Sequence, residues 1–165
     1  MNYLLLIKFL ILTCLFKFSL PVAAQLPDHQ FVKINNIPEW EISPAEKKNL
    51  EIILEIHEGY HIQADEVNDK NLIPTTLTFS EVPEDVILYD PVYPEPGFFK
   101  LKNVDDLMPV FSRILKISIP AAVKKGATSN VFSIKGNLNY QACDSVKCYF
   151  PRDLSVNLMI RIAEN

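Results

Sequence analysis

The sequence predicts an all-β domain folded as an antiparallel β-sandwich. About seven short apolar runs, turn-forming residues between them and no long amphipathic helical pattern lead to that prediction. The composition agrees: 48% of the 165 residues are hydrophobic and 22% charged, enough to build a core and too apolar for a disordered chain. Sixteen Lys and Arg oppose 20 Asp and Glu with no block of like charge, which argues against a nucleic-acid or anionic-lipid surface. With 12 Pro but only 4 Gly, the chain has little material for a phosphate-cradling loop, so no nucleotide or other small-molecule cofactor is expected.

Residues 1–24 contain Lys8 and Lys17, no acid, and an apolar run that ends at Pro21 and the small residues Ala23 and Ala24. This is the pattern of a secretory signal peptide cleaved before Gln25, leaving 25–165 as one exported domain. The two lysines make the same stretch a poor membrane anchor. Cleavage removes Cys14 and makes the remaining chain two charges more acidic than the formal −4. It also leaves an even pair of cysteines in a compartment that permits disulfides.

From 25 to 43 the pattern is irregular, with Phe31, Ile34, Ile37 and Trp40 as packing anchors. Leu50, Ile52, Leu54 and Ile56 then alternate with Glu51, Ile53, Glu55 and His57, the period of a strand. Further strands are predicted over 72–79, 86–89, 98–101, 111–119, 130–140 and 154–162. The last is the clearest, with Leu154, Val156, Leu158, Ile160 and Ile162 on one face and Ser155, Asn157, Met159 and Arg161 on the other. Arg113, Leu115, Ile117 and Ile119 repeat the scheme less regularly.

Two motifs imitate metal sites. His57-Glu58-Gly59-Tyr60-His61 matches H-E-x-x-H, and Ser43-Pro44-Ala45-Glu46 upstream resembles a helix N-cap. The period-two alternation up to His57 and the helix-weakening Gly59 oppose a helix. On a strand the two histidines stand about 13 Å apart, too far to share a zinc ion. Asp65, Asn68, Asp69 and Asn71 form a polar loop that lacks the closing glutamate of a calcium-binding loop, so a solvated turn is the simpler reading. No bound metal is expected.

Cys143 and Cys148 lie between two of the best strands. A disulfide there closes a six-residue ring and contributes only about 2 kcal/mol by loop entropy, against about 4.7 for a hundred-residue loop. As a staple it is poorly placed. Flanked by Tyr140, Tyr149 and Phe150, the pair is better suited to exchange with another protein's thiol. A plain structural disulfide and a two-thiolate metal site with His57 and His61 remain as alternatives at this point.

Three elements, Gly59-Tyr60-His61-Ile62, Leu72-Ile73-Pro74-Thr75, and Tyr140-Gln141-Ala142-Cys143 with Cys148-Tyr149-Phe150-Pro151, occur in the order of one family. Through them the chain resembles the N-terminal periplasmic domain of the thiol:disulfide interchange protein DsbD, over roughly residues 34–162. The resemblance implies an immunoglobulin-like sandwich and a protein-disulfide reductase component. As in the family, it would be periplasmic or secreted and pass electrons between a membrane-embedded thiol reductase and thioredoxin-like oxidoreductases. Position by position, Cys148 matches the cysteine that forms the mixed disulfide and Cys143 its resolving mate. Tyr93, in the loop at 90–98, matches the shielding cap residue, with Tyr60, His61 and Tyr149 lining the site. The expected form is a monomer. A different class of function, a non-catalytic immunoglobulin-like module that handles a partner or copper and keeps a structural disulfide, is the alternative.

Overall fold

The computed structural model describes residues 30–102 and 105–163, so the proposed signal peptide and Cys14 lie outside the described residues. Twelve strands and no helix are found among these residues, in three four-stranded sheets that form an immunoglobulin-like sandwich. The first sheet has the order β1-β3-β9-β6, from β1 (Val32–Asn36), β3 (Lys47–Ile56), β9 (Ile114–Val123) and β6 (Val86–Leu88). The second is β2-β12-β10-β5, from β2 (Glu39–Ile42), β12 (Arg152–Ile162), β10 (Val131–Tyr140) and β5 (Thr76–Ser80). Between them lies the main core. Leu50, Ile52, Leu54 and Ile56 of β3 meet Leu115, Ile117 and Ile119 of β9, Ile134 and Leu138 of β10, and Val156, Leu158 and Ile160 of β12. Each fully buried aliphatic side chain of this kind contributes about 1.5–3 kcal/mol of hydrophobic free energy.

The alternation read in 50–56 and 154–162 is therefore the alternation that fills the core. The irregular stretch 30–43 is ordered as well. It forms β1 and β2, and β2 pairs parallel to β12, with Trp40 opposite Ile160, in an otherwise antiparallel architecture. At Ser43-Pro44-Ala45-Glu46 the chain makes a tight turn in place of a helix start. The Glu46 N–H donates to the Ser43 carbonyl at 3.0 Å, and Ala45 takes a φ of 67°. Proline at the second position and a left-handed third residue are the signature of a type II turn.

The third sheet has the order β11-β4-β8-β7 and carries both cysteine-bearing and histidine-bearing segments: β11 (Ala142–Cys143), β4 (His61–Gln63), β8 (Leu107–Ser112) and β7 (Gly97–Lys100). It grows out of breaks in the other two. The run 111–119 is two strands, because Arg113 adopts a φ of 60° and turns the chain from β8 into β9. Directly across the ladder, β3 ends at Ile56 and the chain turns through Gly59 (φ 82°) into β4. The Ile56 N–H donates to the Arg113 carbonyl at 2.7 Å, so the two breaks support each other. H-E-x-x-H is thus strand, turn and strand. The run 72–79 is also shorter than expected, since only its end forms β5.

Tyr140 ends β10 and ties the fold to the third sheet. Its fully buried ring sends the hydroxyl to Gln30 Oε1 at 2.7 Å, and the same oxygen accepts the Phe31 N–H at 3.2 Å. Replacing a buried hydroxyl by hydrogen leaves the backbone donor without that acceptor. Tyr140→Phe is expected to lower unfolding free energy by about 1–2 kcal/mol, read as a lower urea midpoint with unchanged slope.

Candidate functional site

Cys143 and Cys148 form a disulfide, with Cα atoms 3.9 Å apart across a single antiparallel bridge. The four residues between them are a tight hairpin. The Asp144 N–H donates to the Lys147 carbonyl at 2.9 Å, while Asp144 Oδ1 accepts the N–H groups of Val146 and Lys147 at 2.7 and 2.8 Å. An aspartate side chain capping the amides two and three residues ahead is the usual way such a turn is locked. The other carboxylate oxygen, Oδ2, accepts the Tyr149 hydroxyl at 2.7 Å.

The strand after the hairpin is anchored by Gln141. Its Nε2 donates to the Tyr149 carbonyl at 3.1 Å and its Oε1 accepts the Ile73 N–H at 3.0 Å. This gives the Tyr-Gln element a physical role: Tyr140 fixes Phe31, and Gln141 joins the cysteine hairpin to the segment before β5. Thr75 completes that join by donating its hydroxyl to the Gln63 carbonyl at 2.5 Å.

Register sorts the side chains of the third sheet into two faces. Cys143 pairs with His61 and His61 with Ser112, so these three share a face, and Gln63, two residues past His61, joins them. Ala142, Ile62 and Phe111 point the other way, into the main core. Met108, Val110 and Cys143 are buried yet stand outside that core cluster, on the cysteine face by register. Gln63 is fully buried there, its Nε2 3.1 Å from Cys143 Sγ and 3.8 Å from Cys148 Sγ. The two cysteines differ in exposure, since Cys143 is fully buried and Cys148 half-buried. Cys148 borders a cleft of about 530 Å³ with Leu72, Leu101 and Met108, and a second of about 350 Å³ with Gln141 and Phe150.

Of the residues expected at the site, His61 pairs beside Cys143 and Tyr149 follows Cys148, whereas Tyr60 packs against the main core and meets the hairpin only through the Tyr149 ring, 6.0 Å away. His61 lies beside Cys143 in the ladder, with Nδ1 2.5 Å from Ser112 Oγ and its ring 4.0 Å from that of Phe99. Burial holds its imidazole below the usual 6.5, so it is neutral at pH 7. Tyr60 and Tyr149 both pack on Phe31, with ring centroids 4.7 Å away. Tyr93 is not brought over the sulfurs. Its ring stacks on Phe111 against the main core and its hydroxyl accepts the Leu77 N–H at 2.8 Å, on the opposite face of the sheet from Cys143. The segment that approaches the hairpin is instead the connection from β7 to β8, where the Lys102 N–H donates to the Ser145 carbonyl at 3.1 Å.

Sequence reasoning missed Gln63, Asp144 and Gln141 as site residues. The period of two starting at His61 was the available signal for Gln63. The polar loop at 65–71 bonds to itself and to β8: Asp69 Oδ1 accepts the Asn71 N–H at 2.9 Å, and Asn68 Nδ2 donates to the Leu107 carbonyl at 2.8 Å. Among the described residues no group of three or more His, Cys, Asp or Glu is arranged to hold a metal ion.

The Tyr149–Asp144 bond shifts both groups. Asp144 is lowered from 3.8 by the phenol and by the two turn amides, and Tyr149 is raised from 10.0 to about 12, chiefly by the carboxylate that accepts its proton. The depressed Asp144 stabilises the fold above its unfolded pKa, a contribution lost as pH falls through the folded value. The raised Tyr149 stabilises the fold below about 10, a contribution lost as pH rises through about 12. Ring resonances of Tyr149 should therefore titrate near 12 in the native protein and move back toward 10 in Asp144→Asn.

No family model matches the chain, and no curated protein matches it by sequence. Solved structures do. The N-terminal domain of DsbD from Neisseria meningitidis, in its reduced form, is 20% identical over 67% of this chain and 75% of its own, with a TM-score of 0.42. The N-terminal periplasmic domain of ScsB from Proteus mirabilis is 14% identical over 81% of this chain, with a TM-score of 0.51. The match spans 48% of that ScsB chain, about half its length. At these identities the likeness is one of fold, and the chain shares its β-sandwich architecture with the N-terminal periplasmic domain of ScsB.

Proposed function

We propose that the chain is an exported thiol-disulfide exchange domain. It relays reducing equivalents between thioredoxin-like oxidoreductases and a membrane-embedded thiol reductase through Cys143 and Cys148. The observation that carries this reading is the unequal exposure of the two cysteines: Cys143 is fully buried, and Cys148 is half-buried and borders two clefts. Exposed Val146 (61%) and Phe150 (92%) flank Cys148, an apolar surface suited to a docking protein. The hairpin is held by Asp144 and by the β11–β4 ladder as well as by the disulfide. Periplasmic placement is supported by the ScsB domain's own description and by the apolar, acid-free segment 1–24.

In the reducing step a partner thiolate attacks Cys148 Sγ, the intramolecular S–S bond breaks, and its electron pair passes to Cys143 Sγ. The partner's second thiol then attacks its own sulfur in the mixed disulfide and releases Cys148 as a thiolate. One proton reaches each cysteine and the partner leaves oxidised. In the delivering step Cys148 attacks the disulfide of the next acceptor, and Cys143 resolves the adduct.

A single-cysteine thioredoxin-like oxidoreductase, activated as its thionitrobenzoate mixed disulfide, tests the assignment. Reduced Cys143→Ala should displace one thionitrobenzoate per chain and hold the partner in a covalent adduct that dithiothreitol releases. Cys148→Ala, whose remaining cysteine is the fully buried one, should react at least tenfold more slowly. Equal rates, or no adduct with Cys143→Ala, would remove the proposed roles.

A further inference from the structure

We propose that Gln63 stabilises the negative charge that Cys143 Sγ takes up when the disulfide opens, by donating a hydrogen bond from Nε2, and that it thereby favours the reduced state. The inference rests on the exchange reading above and adds a residue to it. Gln63 is fully buried, with Nε2 3.1 Å from Cys143 Sγ and 3.8 Å from Cys148 Sγ. Its other side-chain atom, Oε1, is buried with no hydrogen-bond partner. A buried amide with half its capacity unused is unfavourable, and such a group calls for a functional explanation.

The chemistry of the pair supplies one. In the disulfide neither sulfur carries a hydrogen, so the sulfurs can only accept, weakly, from Nε2. When a partner thiolate attacks Cys148, the S–S electron pair passes to Cys143. The Nε2–H group then faces a thiolate, a far better acceptor than a disulfide sulfur. Once both protons have been taken up, an S–H group is present within reach of the amide, and Oε1 can accept it. Both ends of the amide are thus better satisfied after reduction than before it. Because Nε2 lies nearer Cys143, the better leaving group is the buried sulfur, which directs attack to Cys148. His61, on the same face, is neutral at pH 7 and already bonded to Ser112, so the amide is the donor closest to this sulfur among the described contacts.

Gln63→Met keeps the side-chain length and removes the amide. At equilibrium with the dithiothreitol couple, this variant should hold about tenfold more disulfide than the native protein, a potential lower by about 30 mV. Attack by dithiothreitol thiolate should slow in parallel, while the thermal midpoint of the oxidised protein, which has no thiolate to lose, changes little. An equilibrium within twofold of native in a folded variant overturns the proposal. Should the variant fail to fold, the native protein decides. The Gln63 side-chain amide proton should shift downfield on reduction and follow the thiol as it titrates, and an unmoved resonance overturns the role. A pair that dithiothreitol cannot reduce in either protein overturns this inference and the exchange reading together, whereas normal reduction independent of Gln63 leaves exchange standing.

Discussion

The hydrogen bond from the Ile56 N–H to the Arg113 carbonyl joins two strand breaks on which the site depends. Neither break is stable alone. A strand that stops with its neighbour continuing leaves unpaired backbone groups, and those groups are unfavourable when buried. Because β3 and β9 turn away at the same place, each supplies the other's missing partner, and both chains re-pair beyond the corner as β4 and β8. Arg113 in a left-handed conformation and Gly59 at a φ of 82° are the local means of doing so. Strands that change sheet at such a corner are a known way for sandwiches to close their ends.

The corner frees one sheet face from the main core. In the two large sheets every inward residue is committed to packing, and a reactive group there could not change state without disturbing its neighbours. On the third sheet, Ile62, Phe111 and Ala142 satisfy the core, while Cys143, His61 and Gln63 point elsewhere. The cysteine hairpin then needs only local anchors. Gln141 ties it to Ile73, Asp144 closes its turn, and Tyr149 rests on Phe31, which Tyr140 fixes in turn. Each anchor, hydrogen bond or ring contact, contributes about 1 kcal/mol. Their number, more than the strength of any one, holds the hairpin's shape.

How much of this was legible in the sequence follows from what a period of two can register. Strands β3 and β12, half-buried over ten or more residues, announce themselves through Leu50 to Ile56 and Leu154 to Ile162. Strands of two or three residues, such as β11 and β4, are too short to show a period at all, and tertiary pairing alone creates them. The run through 111–119 hid a break because Arg113 is not a residue that advertises a left-handed turn. Ile34 and Trp40 were legible as anchors, but not the strands they sit on, since Pro38 divides a stretch that belongs to two different sheets. The cysteine pair stood out by spacing and neighbours. Tyr93 matches the cap residue by position in the chain alone, and position does not reveal which face of a sheet a ring will choose. Here Phe111 and the Leu77 N–H offered it a partner at each end.

The asymmetry of the two sulfurs follows from the same geometry. Cys143 belongs to a ladder, opposite His61, and is fully buried there. Cys148 lies one bridge further, where the ladder has ended and Pro151 soon prevents another backbone donor from joining. A six-residue ring cannot place both sulfurs at equal depth when one end is a strand and the other its exit. Burial therefore separates the two cysteines, one sheltered and one half-exposed. Where a sheltered sulfur must become a thiolate, the surrounding protein has to supply the stabilisation that water cannot. A polar side chain buried beside Cys143 is what that requirement demands, and Gln63 is the one the fold provides.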